Sequence, residues 1–202
     1  MKNRCLITGG AGFIGSHIAE MLLESGHFVR ILDDLSSGFR KNIANFESDV
    51  EFIQGSIINQ ELVVNAVANI DVIFHLAAVP FVIQTIAEPL DSTIVNFNGT
   101  LNLLECAKKA GVKAFIFASS SAVYGNSEIM PVKEDMQLQP ISPYAAAKLC
   151  SEYYITMYSQ LFNLPGISLR FMNVFGERQN PDTEYSAVIP RFIRNMVNGE
   201  KI

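Results

Sequence analysis

Charge, cysteine and histidine are all scarce in this sequence, and each scarcity removes a class of function. Charged residues make up 17% of the chain and the net charge is −5, with no basic block, so nucleic acid is not an expected partner. The three cysteines, Cys5, Cys106 and Cys150, are odd in number and far apart. That excludes a disulfide framework and fits reduced thiols used as small apolar residues in the cytoplasm. The three histidines, His17, His27 and His75, lack metal-ligand spacing, so no metal is expected. No apolar run is long enough to cross a bilayer. The N-terminus enters a strand-like segment at once, without a signal-peptide pattern. Repeats and low-complexity tracts are also missing. The 49% of hydrophobic residues among 202 is ample for an ordered core.

Short apolar runs alternate with longer amphipathic ones. Strands are predicted at "RCLITG", "FVRILD", "VEFIQG", "DVIFHLAA", "VKAFIFASS" and "GISLRFMNVFG", the last with its exit loop. Helices are predicted at "FIGSHIAEMLLESG", "NQELVVNAVAN" with Asn59 as N-cap, "STIVNFNGTLNLLECAKKAG", "SPYAAAKLCSEYYITMYSQLF" and, despite Pro190, "AVIPRFIRNMVNGE". Strands separated by helix-length crossovers mean βαβ units. The continuously apolar strands imply helices on both faces. The fold expected is α/β, a Rossmann-type doubly wound parallel sheet. Residues 1–165 would form the dinucleotide-binding domain. Residues 166–202 would supply the last strand and the start of a substrate lobe.

The first turn, "TGGAGFIGS", spaces Gly9, Gly12 and Gly15 between a strand and a helix. Glycines there admit a pyrophosphate to the backbone, and the helix N-terminus offers free N–H groups. Asp33, at the end of the second strand in "LDDLSSG", is placed to accept hydrogen bonds from an adenosine ribose and to repel a 2′-phosphate. NAD is therefore favoured over NADP. Asp33 or Asp34 could equally cap a turn, and the nearby Arg40 and Lys41 keep NADP open. Tyr144 and Lys148 stand at i and i+4 behind Pro143, on one face of a helix. Alone, such a pair is more often packing with a snorkelling stem than chemistry.

Taken together, "CLITGGAGFIGS", "HLAA", "NFNGTLNLLE", "ASSSAVYG", "YAAAK", "LRFMNVFG" and "RQNP" resemble the extended short-chain dehydrogenase/reductases of the nucleotide-sugar epimerase/dehydratase group. Within it, UDP-sugar 4-epimerases are most similar. The resemblance implies a catalytic acid/base in Tyr144, a lysine, Lys148, that lowers its pKa and holds the nicotinamide ribose, and a hydroxyl, Ser120, shared with the substrate. It implies contacts to NAD from Phe13 and Ile14 beside the glycines, from Ser37, Gly38, Ser56 and Ile57, and from Leu76, Ala77 and Ala78. Asn96, Ser119, Phe171 and Met172 would add to these. Ser121 and Asn173 would face the substrate, Asn173 at its pyrophosphate. A nucleotide sugar, most simply a UDP-sugar, is the implied partner. A homodimer through the helices holding Asn96–Ala110 and Tyr144–Leu161 is implied as well.

Three departures stand out. Gly55-Ser56 replaces the Gly-Asp that often contacts adenine. Phe81 and Gln84 occupy positions where a serine and an arginine are frequent. Ser121-Ala122 stands where dehydratases carry an Asp-Glu pair and decarboxylases a Glu. Neither residue is a carboxylic acid or base, so epimerisation at C4, which needs only Ser120, Tyr144, Lys148 and NAD, is the expected reaction. The alternatives are another member of the group, or a truncated NAD-binding module with little turnover, since the chain stops at "NGEKI" whereas the family continues. The charge argument predicts that Asp33→Ala narrows the preference for NAD(H) over NADP(H). Fluorescence titration of both cofactors checks this, and equal or tighter NADP(H) binding by the unmodified chain overturns the assignment.

Overall fold

A computed structural model describes residues 2–181 and 188–200. The six predicted strands form one parallel sheet: β1 (Arg4–Thr8), β2 (Phe28–Asp33), β3 (Glu51–Gln54), β4 (Val72–His75), β5 (Ala114–Ser120) and β6 (Gly166–Phe171). Their order is β3-β2-β1-β4-β5-β6, and every neighbouring pair runs parallel. The chain winds outward from β1 to β3, returns, and continues through β4 to β6. This is the doubly wound Rossmann-type arrangement, whose crevice opens at the carboxyl ends of the strands beside β1.

The helices are α1 (Phe13–Glu24), α2 (Gln60–Val67), α3 (Val82–Ala87), α4 (Pro89–Thr93), α5 (Thr100–Ala110), α6 (Pro143–Phe162) and α7 (Val188–Asn198). The caps explain several boundaries. Asn59 accepts from the Leu62 N–H at the start of α2, and Ser142 accepts from the Ala145 N–H ahead of Pro143 at the start of α6. Gly111 closes α5 in the left-handed conformation. Successive strand residues alternate between two cores. Leu6, Leu32, Ile73, Phe115 and Phe117 pack with α2, α5 and α6. Ile7, Val29 and Ile31 pack on the other face with Ala19 of α1 and with Ile43 and Phe46. On that second face Ile167 and Leu169 of β6 remain exposed. No described helix is long and apolar enough to cross a membrane.

Two segments differ from the sequence-based expectation. "VPFVIQTIAEP", where no element is predicted, contains the short helix α3, with Thr85 buried and its hydroxyl donating to Val82 O at 2.7 Å. The single long helix predicted before Gly111 is broken: a π-helical run, Ile94–Gly99, joins α4 to α5. The Asn96 side chain inside that run bonds both backbone groups of Val79, Nδ2 to Val79 O at 3.1 Å and Oδ1 from Val79 N at 2.7 Å. Periodicity does not reveal such a local i→i+5 turn.

His75, at the end of β4, is fully buried. Its Nδ1 lies 2.7 Å from Thr8 Oγ1 and its Nε2 lies 2.8 Å from Thr100 Oγ1. Thr100 Oγ1 itself donates to Asn96 O at 2.8 Å, so it accepts from the ring, and the neutral tautomer carries its proton on Nε2. Burial, aided by the nearby Lys148 charge, pushes the imidazole down to about 3. The unfolded chain binds a proton near pH ~6.5 that the folded chain refuses. His75 therefore costs stability as pH falls from about 6.5 to about 3, by about 1.4 kcal/mol per pH unit. Denaturant unfolding across this range should show His75→Gln less stable than the parent at pH 7 but with a flatter fall in acid. A parallel fall in both proteins contradicts this account.

Candidate functional site

The glycine turn leaves β1 with Gly9 at φ +71°, in the left-handed region that favours glycine. Gly15, inside α1, packs so closely that a Cβ would stand 2.2 Å from Gly9 O. Turn and helix are thus pressed together as a backbone cradle. Gly12 is the N-cap and carries no side-chain cap, so the first N–H groups of α1 stay available to an anion.

Asp33 buttresses this turn. Its Oδ2 accepts from the Ala11 N–H at 2.9 Å, and its Oδ1 accepts from the Leu35 N–H at 2.8 Å. Asn42 completes the clamp by donating Nδ2 to Ala11 O at 2.8 Å. Asp33 is only 6% exposed. Burial pushes its carboxyl up, while the Leu35 and Ala11 N–H groups pull it back. It bonds the turn, as the capping reading of Asp33 expects, and it also lines the cavity wall.

A cavity of about 690 Å³ runs along the carboxyl ends of the strands, within the usual size of a ligand site. Gly9, Gly12, Phe13, Ile14, Gly15, Asp33, Ser37 and Gly38 line its glycine end, with Ser56 and Ile57 near by. Leu76, Ala77 and Ala78 line its middle, and Ser119, Ser120, Tyr144, Lys148, Phe171, Met172 and Asn173 line the far end. Two expected site residues lie off this wall. Asn96 is 2% exposed and its amide is spent on Val79, so it shapes the Leu76–Phe81 wall from behind. Ser121 begins a 3₁₀ turn, Ser121–Tyr124, and does not reach the cavity. Gly55, Asn42, Val79–Phe81, Arg178, Gln179 and Asn180 also line the wall, without a cofactor contact having been assigned to them.

Helix α6 grips the end of β5 at three successive residues. Ser120 and Tyr144 both line the far end of the cavity, where Ser120 draws the phenol back toward its usual range. Lys148 Nζ donates to Ala118 O at 2.8 Å. The Ser119 hydroxyl donates to Glu152 Oε1. Residues 144, 148 and 152 are one turn apart on the same helix face. Arg170 of β6 locks Glu152 through Nε at 3.1 Å and Nη2 at 2.8 Å, and it donates Nη1 to the Tyr124 hydroxyl at 3.0 Å. Glu152 and Arg170 were not anticipated, although Glu152 stands at i+4 from Lys148. Ser119 is committed to Glu152, whereas Ser120, which accepts from the Ala122 N–H at 3.2 Å, keeps its proton to donate.

The Lys148 ammonium lies 5.7 Å from the Tyr144 ring centroid and is bound to Ala118 O. Burial pushes the Tyr144 phenol above its usual range, and only Ser120 draws it back. Burial also lowers the Lys148 ammonium to about 8. A cationic group at the far end of the cavity would favour the phenolate by direct attraction.

Comparison with known proteins agrees with this geometry. Residues 5–202 match the NAD dependent epimerase/dehydratase family. A putative UDP-glucose 4-epimerase of Methanocaldococcus jannaschii is 38% identical over 198 residues, 96% of this chain and 63% of that protein. A UDP-N-acetyl-alpha-D-glucosaminuronate decarboxylase of Bacillus cytotoxicus is 39% identical, with 100% of this chain and 64% of that protein covered. Among solved structures, the UDP-N-acetylglucosamine 4-epimerase of Methanobrevibacter ruminantium in complex with UDP-N-acetylmuramic acid superposes with a TM-score of 0.95 at 39% identity, over 100% of this chain and 65% of that one. A dTDP-glucose 4,6-dehydratase of Streptomyces venezuelae, solved with NAD bound, gives a TM-score of 0.89 at 35% identity, over 97% of this chain and 62% of that one. The chain thus spans a little under two thirds of the length of these relatives. The glycine cradle, the uncapped α1 and the buried Tyr144–Lys148 end of the cavity fit the pyrophosphate and the nicotinamide ribose of one dinucleotide. The chain belongs to the NAD dependent epimerase/dehydratase family, and its cofactor is NAD.

Proposed function

We propose that the protein inverts C4 of a UDP-sugar by oxidation to the 4-keto sugar and return of the same hydride. One observation carries this reading. Among the described residues, the only carboxylates on the cavity wall are Asp33 and Asp34, at the end away from Tyr144. Elimination of water or loss of a carboxyl group calls for further acid/base groups beside the sugar, and Ser121-Ala122 supplies none. That argument sets epimerisation above the decarboxylase and dehydratase chemistries of two similar relatives.

In this reading Ser120 and Tyr144 together hold the C4 hydroxyl, and Tyr144 takes its proton. The Lys148 amine, buried and fixed on Ala118 O, gives the far end of the cavity a positive charge that steadies the phenolate once a sugar displaces water. Bound NAD supplies the hydride acceptor, and then the donor, at the sugar carbon. Asn173 and the neighbouring wall hold the substrate pyrophosphate. The exposed Tyr153, Met157 and Leu161 of α6 support pairing of two copies through the helix holding Tyr144–Leu161, whereas the helix holding Asn96–Ala110 carries no exposed large apolar residue.

Tyr144→Phe removes one oxygen and should lower conversion of UDP-glucose to UDP-galactose by at least about a hundredfold, leaving NADH affinity within about threefold. Parallel rate assays and NADH titrations check this. Turnover within a few-fold of the parent refutes the role of Tyr144. A parent that binds NADH and converts neither UDP-glucose nor UDP-N-acetylglucosamine refutes the reaction assigned.

A further inference from the structure

β6 is the outer strand of the sheet, whereas α1 begins behind β1, three strands away. The chain leaving β6 nevertheless returns to α1. His17 Nε2 donates to Glu177 O at 3.0 Å, Arg178 Nη2 donates to Glu20 Oε2 at 2.5 Å, and Gly176 lies so near the Phe13 ring that a Cβ would be 3.4 Å from it. Between these anchors the segment 172–180 crosses the carboxyl ends of β5 and β4. Met172, Asn173, Val174, Arg178 and Gln179 along it line the cofactor cavity. The segment is therefore a strap across the mouth of the cavity, tied on the far side to the helix that carries the glycine cradle.

The strap is held at a cost. Arg178 has φ +65°, a left-handed conformation that is strained for a residue with a side chain. Its Nη1 and the Oε1 of Gln179 are buried without a hydrogen-bond partner, which is unfavourable for any polar group and more so for a charged one. Gln179 Nε2 reaches Val174 O only at 3.5 Å. Against these costs stand few ties to α1, of which the Glu20–Arg178 pair is the one between opposite charges. Its side chains are 33% and 19% exposed, shielded enough to matter and open enough for salt to weaken.

We propose that Glu20 is a positioning residue: it latches this strap, and both uptake and release of the dinucleotide wait on opening of the Glu20–Arg178 pair. The proposal rests on the cavity holding NAD and is independent of which sugar reaction follows. Glu20 is not on the cavity wall, so it acts through Arg178. A latch has a kinetic signature that a ligand contact lacks. Losing a contact speeds release alone and weakens affinity, whereas loosening a latch speeds association and release together and leaves affinity nearly unchanged.

The experiment is stopped-flow NADH fluorescence, by mixing for association and by chase with excess NAD for release. The proteins are the parent, Glu20→Gln, Glu20→Lys, and the exchange Glu20→Lys with Arg178→Glu. Both single variants should raise the two rates about three- to fivefold, the order expected for loss of a partly exposed ion pair, with the dissociation constant within about twofold. Raising salt from about 0.05 to about 0.5 M should speed exchange in the parent and not in Glu20→Gln. The exchanged pair should return both rates toward the parent. Faster release with unchanged association, or no change in either rate, overturns the latch while leaving the cofactor assignment intact. A parent that takes up no NADH overturns both.

Discussion

The ammonium of Lys148 is 3% exposed beside the carboxyl end of β5, and its charge must be compensated there. Desolvation of an ammonium is expensive, and here it is met by one carbonyl, Ala118 O at 2.8 Å, and by the face of the Phe117 ring 4.6 Å away. Incomplete compensation is why the amine drops to about 8. Its charge helps to keep His75 neutral, and a neutral His75 can bridge Thr8 of β1 to Thr100 of α5. That bridge continues through Thr100 to Asn96 and so to the wall at Val79. A single buried cation thereby couples the reacting end of the cavity to its middle.

Two kinds of backbone restraint hold the rest of the site. At the glycine end, contact between Gly15 and Gly9 O brings strand and helix closer than side chains would permit, and Asp33 and Asn42 clamp Ala11 from both of its backbone groups. At the other end, Glu152 and Arg170 tie β5, β6 and α6 together with the turn that carries Tyr124. A buried ion pair of this kind adds little net stability against an apolar replacement, but removing one partner leaves the other charge stranded. Its effect is on orientation: Ser119 is fixed on Glu152, which leaves Ser120 next to it for Tyr144, two turns earlier on α6.

The strand segments and their doubly wound parallel arrangement, the glycine turn, Asp33 and the Tyr144–Lys148 pair were legible in the sequence. Each rests on a local rule: period-2 and 3.6-residue patterning, glycine where the backbone must approach closely, and i,i+4 stacking on a helix. Those rules act over a few residues, and local composition satisfies them. Even the caps at Asn59, Ser142 and Gly111 follow from the residue types standing there.

What the tertiary structure alone decided are the partners of polar groups brought together from distant positions. Asn96 reads as a cofactor ligand by resemblance, yet its amide is consumed by Val79, because the π-helical run turns it toward the wall instead of the cavity. Tyr144 reads as a phenol lowered by Lys148, and the burial that the fold imposes on the phenol works against that lowering. The pairing of Glu152 with Arg170 and of Glu20 with Arg178 was not legible, since a lone charged residue in sequence is read as solvated until its counter-charge is known. Sequence separations of 18 and 158 residues divide those two pairs. Hydrogen bonds and ion pairs depend on distance and direction in space, and patterning along the chain encodes burial but not the identity of the group that burial brings opposite.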